Sequence, residues 1–347
     1  MSAHRLLALP GEGIGPEVVE AALGILAQTA PRCGVAIEVE HADFGLPAHD
    51  ATGSHFPAET ARRCEASDGI LLGAVERGGL LELRSHFDFF TNLRPVRAID
   101  CLLPASSLRP ERIRGVDLLF VRELTSGIHF GEAGRGEDAR GAYGFHTMLY
   151  TDDQLRRIAR AALEHARRRR SRLTIAHKEN ALPNIPWCAI TREVATDFPE
   201  VEVEALLVDT LGMQLVNEPT RFDVILAGNL IGDWLSSLGG ALVGSIGMLP
   251  SASLNASGMG LYEPIHGTAP EIAGQGIANP LGALASIGMM LEQWGESALA
   301  ERLARATDRV LALGYRTPDL ATGADAEKVV GTRELADQIV AAFEEVA

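Results

Sequence analysis

The chain reads as an α/β protein, and three observations predict that class. Apolar runs of strand length at residues 6–9, 35–39, 69–72 and 116–121 alternate with segments of helical period such as 17–28. The alternation continues beyond the middle of the chain, with an amphipathic helix over 152–168 and strands at 173–176, 203–208 and 222–227. Polar and charged residues then gather just after these strands, where ligands of open α/β sheets bind.

The first strand runs into Pro10-Gly11-Glu12-Gly13-Ile14-Gly15-Pro16, a glycine turn with proline at the start of a helix. Glu38 or Glu40 on the next strand stands where a dinucleotide ribose partner would be expected. The spacing, however, is G-x-G-x-G rather than G-x-G-x-x-G, and Pro16 occupies a place that the fingerprint reserves for close helix packing. A structural or different ligand-facing turn therefore fits better than a Rossmann site. Further on, the helix over 152–168 ends in the run Arg167 to Arg170, which reads as a solvated helix end whose cations complement the dipole. Residues 131–144 (GEAGRGEDARGAYG) read as an exposed loop or arm.

The 347 residues predict about two domains. Lys+Arg 31 against Asp+Glu 46 gives a net charge of −15, which argues against a nucleic-acid partner, since such binding needs clustered cations. Four cysteines, Cys33, Cys64, Cys101 and Cys188, form no CxxC pair and read as reduced, mostly buried thiols. The first residues lack the regions of a signal peptide, so a cytoplasmic address is expected. Two uncharged stretches, 234–262 and 272–291, are too rich in Gly, Ser, Asn and Pro for membrane spans and should face the interior, a ligand or a partner subunit.

The strand at 173–176 leads to His177-Lys178-Glu179-Asn180, that at 203–208 to Asp209, and that at 222–227 to Gly228-Asn229-Leu230-Ile231-Gly232-Asp233. One lysine and two aspartates there can hold a divalent cation against an oxygen-rich substrate and supply a base. Taken singly, each also fits a helix cap or a surface charge. Arg84, Arg94 and Arg122 sit beside apolar runs and look like a local anion site, because guanidinium forks clamp carboxylates; each alone also fits a surface ion pair. The segment from Glu263 through His266 to Glu271, followed by Gly276 to Pro280, offers backbone N–H groups to an anionic or ribosyl ligand. His266 alone also reads as a structural histidine.

Six blocks in order resemble one family: LPGEGIGPEV at 9–18, NLRP at 92–95, VRELTSGIHFG at 121–131, FDVILAGNLIGD at 222–233, GSIGMLPSASL at 244–254 and HGTAPEIAGQGIANP at 266–280. The family is that of the metal-dependent decarboxylating dehydrogenases, which includes isopropylmalate, isocitrate, homoisocitrate and tartrate dehydrogenases. VRELTSGIHFG and the pair Leu80-Leu81 ahead of Arg84 look most like the isopropylmalate branch. The resemblance implies a two-domain α/β fold that is not a Rossmann fold. Residues 1–89 and 244–347 would form a discontinuous large cofactor-binding domain. Residues 90–243 would form a smaller domain with the metal and catalytic residues, the dimer interface and an arm near 127–149.

The same resemblance implies roles. Arg84, Arg94 and Arg122 match the clamp on the substrate carboxylates, and Leu80 and Leu81 would wall the substrate side chain. Asp233 and the partner subunit's Asp209 match metal ligands, Asp209 also standing among substrate contacts. Tyr150 and the partner subunit's Lys178 match the catalytic acid and base. Residues 267–279 match the cofactor stretch, with Glu263, His266, Gly267, Thr268, Ala269 and Asn279 among its contacts and Glu271 at the adenosine ribose. The negative charge of Glu271 would favour NAD over NADP. The implied reaction is an NAD- and Mg²⁺- or Mn²⁺-dependent oxidative decarboxylation of a 3-substituted malate by a homodimer, with no nucleic-acid or membrane partner.

Two departures touch the site. Ser237 stands where the family usually has a second aspartate, one helical turn after Asp233. The loop Ala74-Val75-Glu76-Arg77-Gly78-Gly79 is shorter than in the isopropylmalate branch, with Arg77 in place of a glutamate. Arg77 could add a cation to the pocket rim or face solvent. The first use would let tartrate, malate, homoisocitrate or a phosphonate-bearing malate compete as substrate; the loss at Ser237 leaves a catalytically impaired regulatory subunit as the rival. An ordinary Rossmann dehydrogenase would instead need Gly13 to hold the cofactor pyrophosphate.

Overall fold

The computed structural model describes residues 3–346. Its main strands are β1 (His4–Gly11), β2 (Ile37–His41), β3 (Gly69–Ala74), β4 (Thr91–Arg97), β5 (Asp117–Glu123), β6 (Ala133–Asp138), β7 (Gly141–His146), β8 (Arg172–His177), β9 (Glu202–Leu207), β10 (Val224–Ala227), β11 (Pro250–Leu254) and β12 (Gly260–Pro264). Ten of them form one sheet in the order β2-β1-β3-β12-β11-β4-β5-β10-β8-β9. Its two flanks are parallel, and β12-β11-β4-β5 in the middle pair antiparallel. The chain enters the second flank through β4 and returns to the first through β11, so the sheet is continuous across the expected division at residues 89/90 and 243/244.

The main helices are α1 (Gly15–Thr29), α2 (Leu80–His86), α3 (Asp152–Arg167), α4 (Trp187–Ala195), α5 (Val208–Asn217), α6 (Asn229–Ser237), α7 (Leu281–Gln293), α8 (Ser297–Ala312) and α9 (Thr332–Glu345). They cover both faces. Along β1, Leu6 and Ala8 join the core with α1, α7 and α9, whereas Leu7 and Leu9 pack with Phe44, Leu83 and Phe89 on the other side. That is the two-residue period of a strand buried on both faces. In the second flank, Leu211, Leu215 and Leu235 bring α5 and α6 onto β5 and β10. Each such side chain, removed from water, contributes about 1.5–3 kcal/mol.

Local chemistry sets the ends of these elements. α3 starts at a capping box in which Thr151 accepts from the Gln154 N–H at 3.2 Å and Gln154 accepts from the Thr151 N–H at 2.9 Å. Several expected bounds shift by a residue or two. β2 begins at Ile37, and β9 ends at Leu207, so Asp209 lies in the first turn of α5 rather than on a strand end. The segment 131–144, expected as an exposed loop or arm, holds a paired ribbon, β6 against β7, with Tyr143 and Phe145 exposed.

The basic run after α3 is also only partly solvated. Arg169 pairs with the fully buried carboxylate of Asp223 at 2.8 Å, and Arg170 donates its N–H to the same group. A buried carboxylate needs such partners. All four cysteines are unpaired, with Cys64 and Cys188 buried and Cys33 and Cys101 half-buried. Among the described residues, no helix is long and apolar enough to cross a membrane.

The glycine turn after β1 is a packing device. Gly15 and Gly73 approach so closely that a Cβ on either would meet backbone atoms of the other turn or of Pro10 below 3 Å. Gly13 has φ +58, and a Cβ there would lie 2.0 Å from the carbonyl oxygen of Thr268. The Ile14 N–H donates to that same carbonyl at 2.9 Å. The turn thus buttresses residues 266–269. Gly13→Ala should cost about 1–3 kcal/mol through backbone strain and overpacking, read as a lower midpoint in chemical denaturation. An unchanged midpoint would contradict the close approach.

Candidate active site

Where the carboxyl ends of β3 and β5 face α2, α6 and the end of β12, a cleft of about 390 Å³ opens. It brings together Leu80, Leu81, Arg84, Arg94, Arg122, Asp233, Glu263, His266 and Gly267 from the expected set, and adds Val75, His129 and Ile265. Three guanidiniums against two carboxylates leave a local charge of 3 − 2 = +1 in a chain of net −15.

Each arginine is held by its surroundings. Arg84, on α2, donates to Glu263 at 2.7 Å, with both side chains about nine-tenths buried. Arg94 reaches Asp233 at 3.0 Å and the Ser236 hydroxyl at 2.8 Å. Arg122 donates to Asp233 at 2.7 Å and, through Nε and Nη2, to the amide oxygen of Asn229. Burial lowers the pKa of both Arg94 and Arg122 from the ordinary arginine value. Burial also pushes Asp233 upward, but the charges of Arg122 and Arg94 outweigh it and hold this carboxyl below its usual range. The Nε groups of Arg84 and Arg94 are buried without a partner. Unsatisfied buried cationic donors are costly, and an anionic ligand satisfies them.

Asp233 engages both arginines through one oxygen, Oδ1. Its side chain is 44% exposed and lines the cleft, so its second oxygen is free to meet a hard divalent cation. The Ser237 hydroxyl, where the family usually has a carboxylate, donates its hydrogen to the backbone carbonyl of Asp233 at 2.9 Å and offers a cation only a neutral oxygen. Asp209 is elsewhere. It forms an ion pair with Lys178, and neither residue lines this cleft.

The residues expected to hold a nicotinamide cofactor fit that purpose by one observation. Burial lowers the pKa of His266 and keeps it neutral, and its Nδ1–H donates to the carbonyl of Gly267 at 2.9 Å. Nε2 therefore carries a lone pair, buried and unpartnered, at the cleft. A ribose or amide donor would satisfy it. Thr268 and Asn279 are buried, whereas Ala269 is half-buried and Glu271 exposed. Ala269 has φ +40, a strained backbone position, and Pro270 and Glu271 after it are exposed. Arg77 lies on the exposed turn before α2, outside the residues that line the cleft.

Tyr150 and Lys178 line a second crevice together with Trp187 and Leu230. The Tyr150 ring packs edge-on against Trp187, its centroid 5.1 Å away, and its oxygen accepts the Asn229 N–H at 2.9 Å. Gly127 and Gly228 leave room for it, since a Cβ on either would lie within 2.7 Å of the hydroxyl. Burial raises the Tyr150 pKa well above the ordinary tyrosine value.

Asn229 joins the two sites. Its amide NH₂ donates to the carbonyls of Leu124 and Ser126, which fixes the amide orientation and leaves Oδ1 for Arg122. His129 also reaches Oδ1, at 2.9 Å, so its Nδ1 must donate. Neither residue stood out in the sequence reading, although both lie within quoted blocks. The available signal was that each follows a strand end by a few residues, at β5 and β10.

Comparison with known proteins agrees with this geometry. The family model for isocitrate/isopropylmalate dehydrogenase matches residues 5–339. The 3-isopropylmalate dehydrogenase of Methylococcus capsulatus is 45% identical, covering 99% of each chain, and that of Aquifex aeolicus is 42% identical, covering 98% of this chain and 97% of its own. Among solved structures, isocitrate dehydrogenase from Methylococcus capsulatus superposes with a TM-score of 0.89 at 31% identity, over 98% of this chain and 99% of that one. A β-decarboxylating dehydrogenase from Thermococcus kodakarensis gives 0.81 at 32% identity, over 99% and 96%. With the match spanning both flanks of the sheet and the whole cleft, the chain belongs to the isocitrate/isopropylmalate dehydrogenase family.

Proposed function

We propose that the protein is an NAD- and Mg²⁺- or Mn²⁺-dependent dehydrogenase that oxidatively decarboxylates 3-isopropylmalate. The observation that carries this reading is the pairing, in one cleft, of three arginines with an apolar wall of Val75, Leu80, Leu81 and Ile265. The arginines suit two carboxylates, and the wall suits a branched alkyl substituent. Leu81 is 43% exposed in the cleft, free to be covered by such a group. The names of the sequence relatives agree with this choice.

Bound cation and nicotinamide would supply, respectively, Lewis-acid polarisation of the substrate oxygen and a hydride acceptor. Arg84, Arg94 and Arg122 orient the dicarboxylate. Lys178 takes the hydroxyl proton, and Tyr150, kept protonated by its buried site, delivers a proton to carbon after CO₂ leaves. His266, Gly267, Thr268, Ala269, Glu271, Asn279 and Glu263 would contact the cofactor. A homodimer in which Lys178 and Asp209 serve the partner's cleft explains why they stand apart from Asp233. Exposed Met213, Val216, Leu230, Trp234 and Leu238 on and beside α5 and α6 support an interface there. The division into domains 1–89 with 244–347 and 90–243 belongs to the same reading, as does a cytoplasmic address, to which the four free thiols are suited.

The test is NADH formation and CO₂ release across a panel of malates. Turnover of the isopropyl compound far ahead of malate, tartrate, homoisocitrate and phosphonate-bearing analogues is expected; a preference for an anionic substituent would move the specificity to Arg77. His129 provides a finer check. Its Nε2 has no protein partner, and the residue lines the cleft beside Arg122. His129→Asn keeps a donor for Asn229 and removes the outer nitrogen. The KM for substrate should rise about 10- to 100-fold, the range of a hydrogen bond to a charged group, with the KM for NAD unchanged. Wild-type kinetics in this variant would leave His129 a purely structural role.

A further inference from the structure

His177, Glu179 and Cys188 lie outside the substrate cleft and have no role in the reaction above. β8 ends at His177, the chain turns through Lys178 and Glu179, and α4 returns with Cys188 as its second residue. Among the described residues they are the one group of His, Cys, Asp or Glu that meets the geometry of a metal site, with one ligand atom from each lying within 4.8 Å of the others.

The contacts leave the right atoms available. Glu179 Oε1 accepts the Cys188 N–H at 2.7 Å and so caps α4, while Oε2 faces His177 Nδ1 at 3.9 Å. His177 Nδ1 accepts the Glu179 N–H in a long contact of 3.4 Å, so it is unprotonated, and a cation would take over its lone pair by replacing this weak bond. Cys188 is buried, and the His177 and Glu179 side chains are 14% and 28% exposed. A tetrahedral cation bonded at about 2.0–2.3 Å needs its ligand atoms roughly 3.3–3.8 Å apart, so a closure of about 1 Å completes the set. The fourth position would open on the crevice that Glu179 shares with Lys178.

We propose that His177, Glu179 and Cys188 bind one divalent cation of the Zn²⁺ class, at a site separate from the hard-cation position of Asp233. Thiolate and imidazole select Zn²⁺ or Co²⁺, whereas Mg²⁺ prefers oxygen ligands and octahedral geometry. Burial, aided by Glu179, pushes the Cys188 thiol up to about 12, so the empty site holds a thiol. Binding forms a metal–sulfur bond and releases that thiol proton to solvent. Lys178 lies between two of the ligands, so occupancy anchors the turn that carries it.

The test is titration of the chelator-treated full-length protein with Co²⁺, in the presence of excess Mg²⁺. One equivalent per chain should give thiolate-to-cobalt charge-transfer absorption in the near ultraviolet, and Zn²⁺ should remove it. Cys188→Ser should lose this absorption and His177→Gln should weaken binding at least tenfold, while Cys64→Ser keeps the wild-type signal. Retained Mn²⁺ binding, followed by electron paramagnetic resonance, shows that the variants are folded. Absence of a thiolate band in folded wild-type protein, its persistence in Cys188→Ser, or its removal by Mg²⁺ would overturn the site.

Discussion

Tyr150→Phe should lower kcat by about 10²- to 10⁴-fold, the range of a general acid, while KM for substrate moves only a few-fold. The substitution deletes one oxygen. The ring keeps its edge contact with Trp187, and Gly127 and Gly228 still border the space that the hydroxyl filled. What is lost is the proposed proton donor. Burial holds the phenol protonated throughout the working range, which suits the proposed donation rather than abstraction. The Asn229 N–H, which meets the oxygen at 2.9 Å, would stabilise the tyrosinate left after transfer. The measurement is steady-state turnover alongside substrate binding by calorimetry. A Phe variant with wild-type kcat would assign the acid to another group.

Asp233→Asn has the second large effect and acts on two properties at once. Loss of the carboxylate removes the proposed cation ligand, so turnover at fixed Mg²⁺ should fall by about 10³-fold, equivalent to about 4 kcal/mol. Removing the negative charge also leaves the buried guanidiniums of Arg94 and Arg122 facing each other without compensation. Breaking a fully buried pair costs about 3–5 kcal/mol, but Asp233 is 44% exposed, so about 1–3 kcal/mol is expected here. Added dicarboxylate should restore part of this stability, because it supplies the missing anion. The sign with pH follows from the depressed carboxyl. Its contribution is fully present above the ordinary value of 3.8 and is lost as pH falls through the lower folded-state value. The stability difference between wild type and variant should therefore shrink below pH 3.8. A constant gap down to pH 2, or turnover within tenfold of wild type, would remove Asp233 from this role.

The fold class, the approximate strand positions and the residues that line the cleft were legible because they rest on local chemistry. Period-two burial in β1, helical period in α3 and polar residues after β8 and β10 depend on neighbours in the chain. The arginines could be singled out because a cation beside an apolar run is locally unfavourable unless something distant compensates it. Less legible was the strand pairing inside 131–144, since pairing between β6 and β7 depends on register rather than composition. Arg169 likewise looked solvated until Asp223, 54 positions away, provided a buried partner.

By itself the sequence determined an acidic α/β chain, the family resemblance, and which residue types stand ready for carboxylates, a cation and a cofactor. Tertiary structure alone decided their grouping. It placed Asp233 with Arg94 and Arg122 but paired Asp209 with Lys178, turned the Ser237 hydroxyl to its own helix, and joined Tyr150 to the cleft through Asn229. The physical reason is that propensity and motif act over a few residues, whereas charge compensation and hydrogen-bond satisfaction are settled between strands brought together only when the sheet closes.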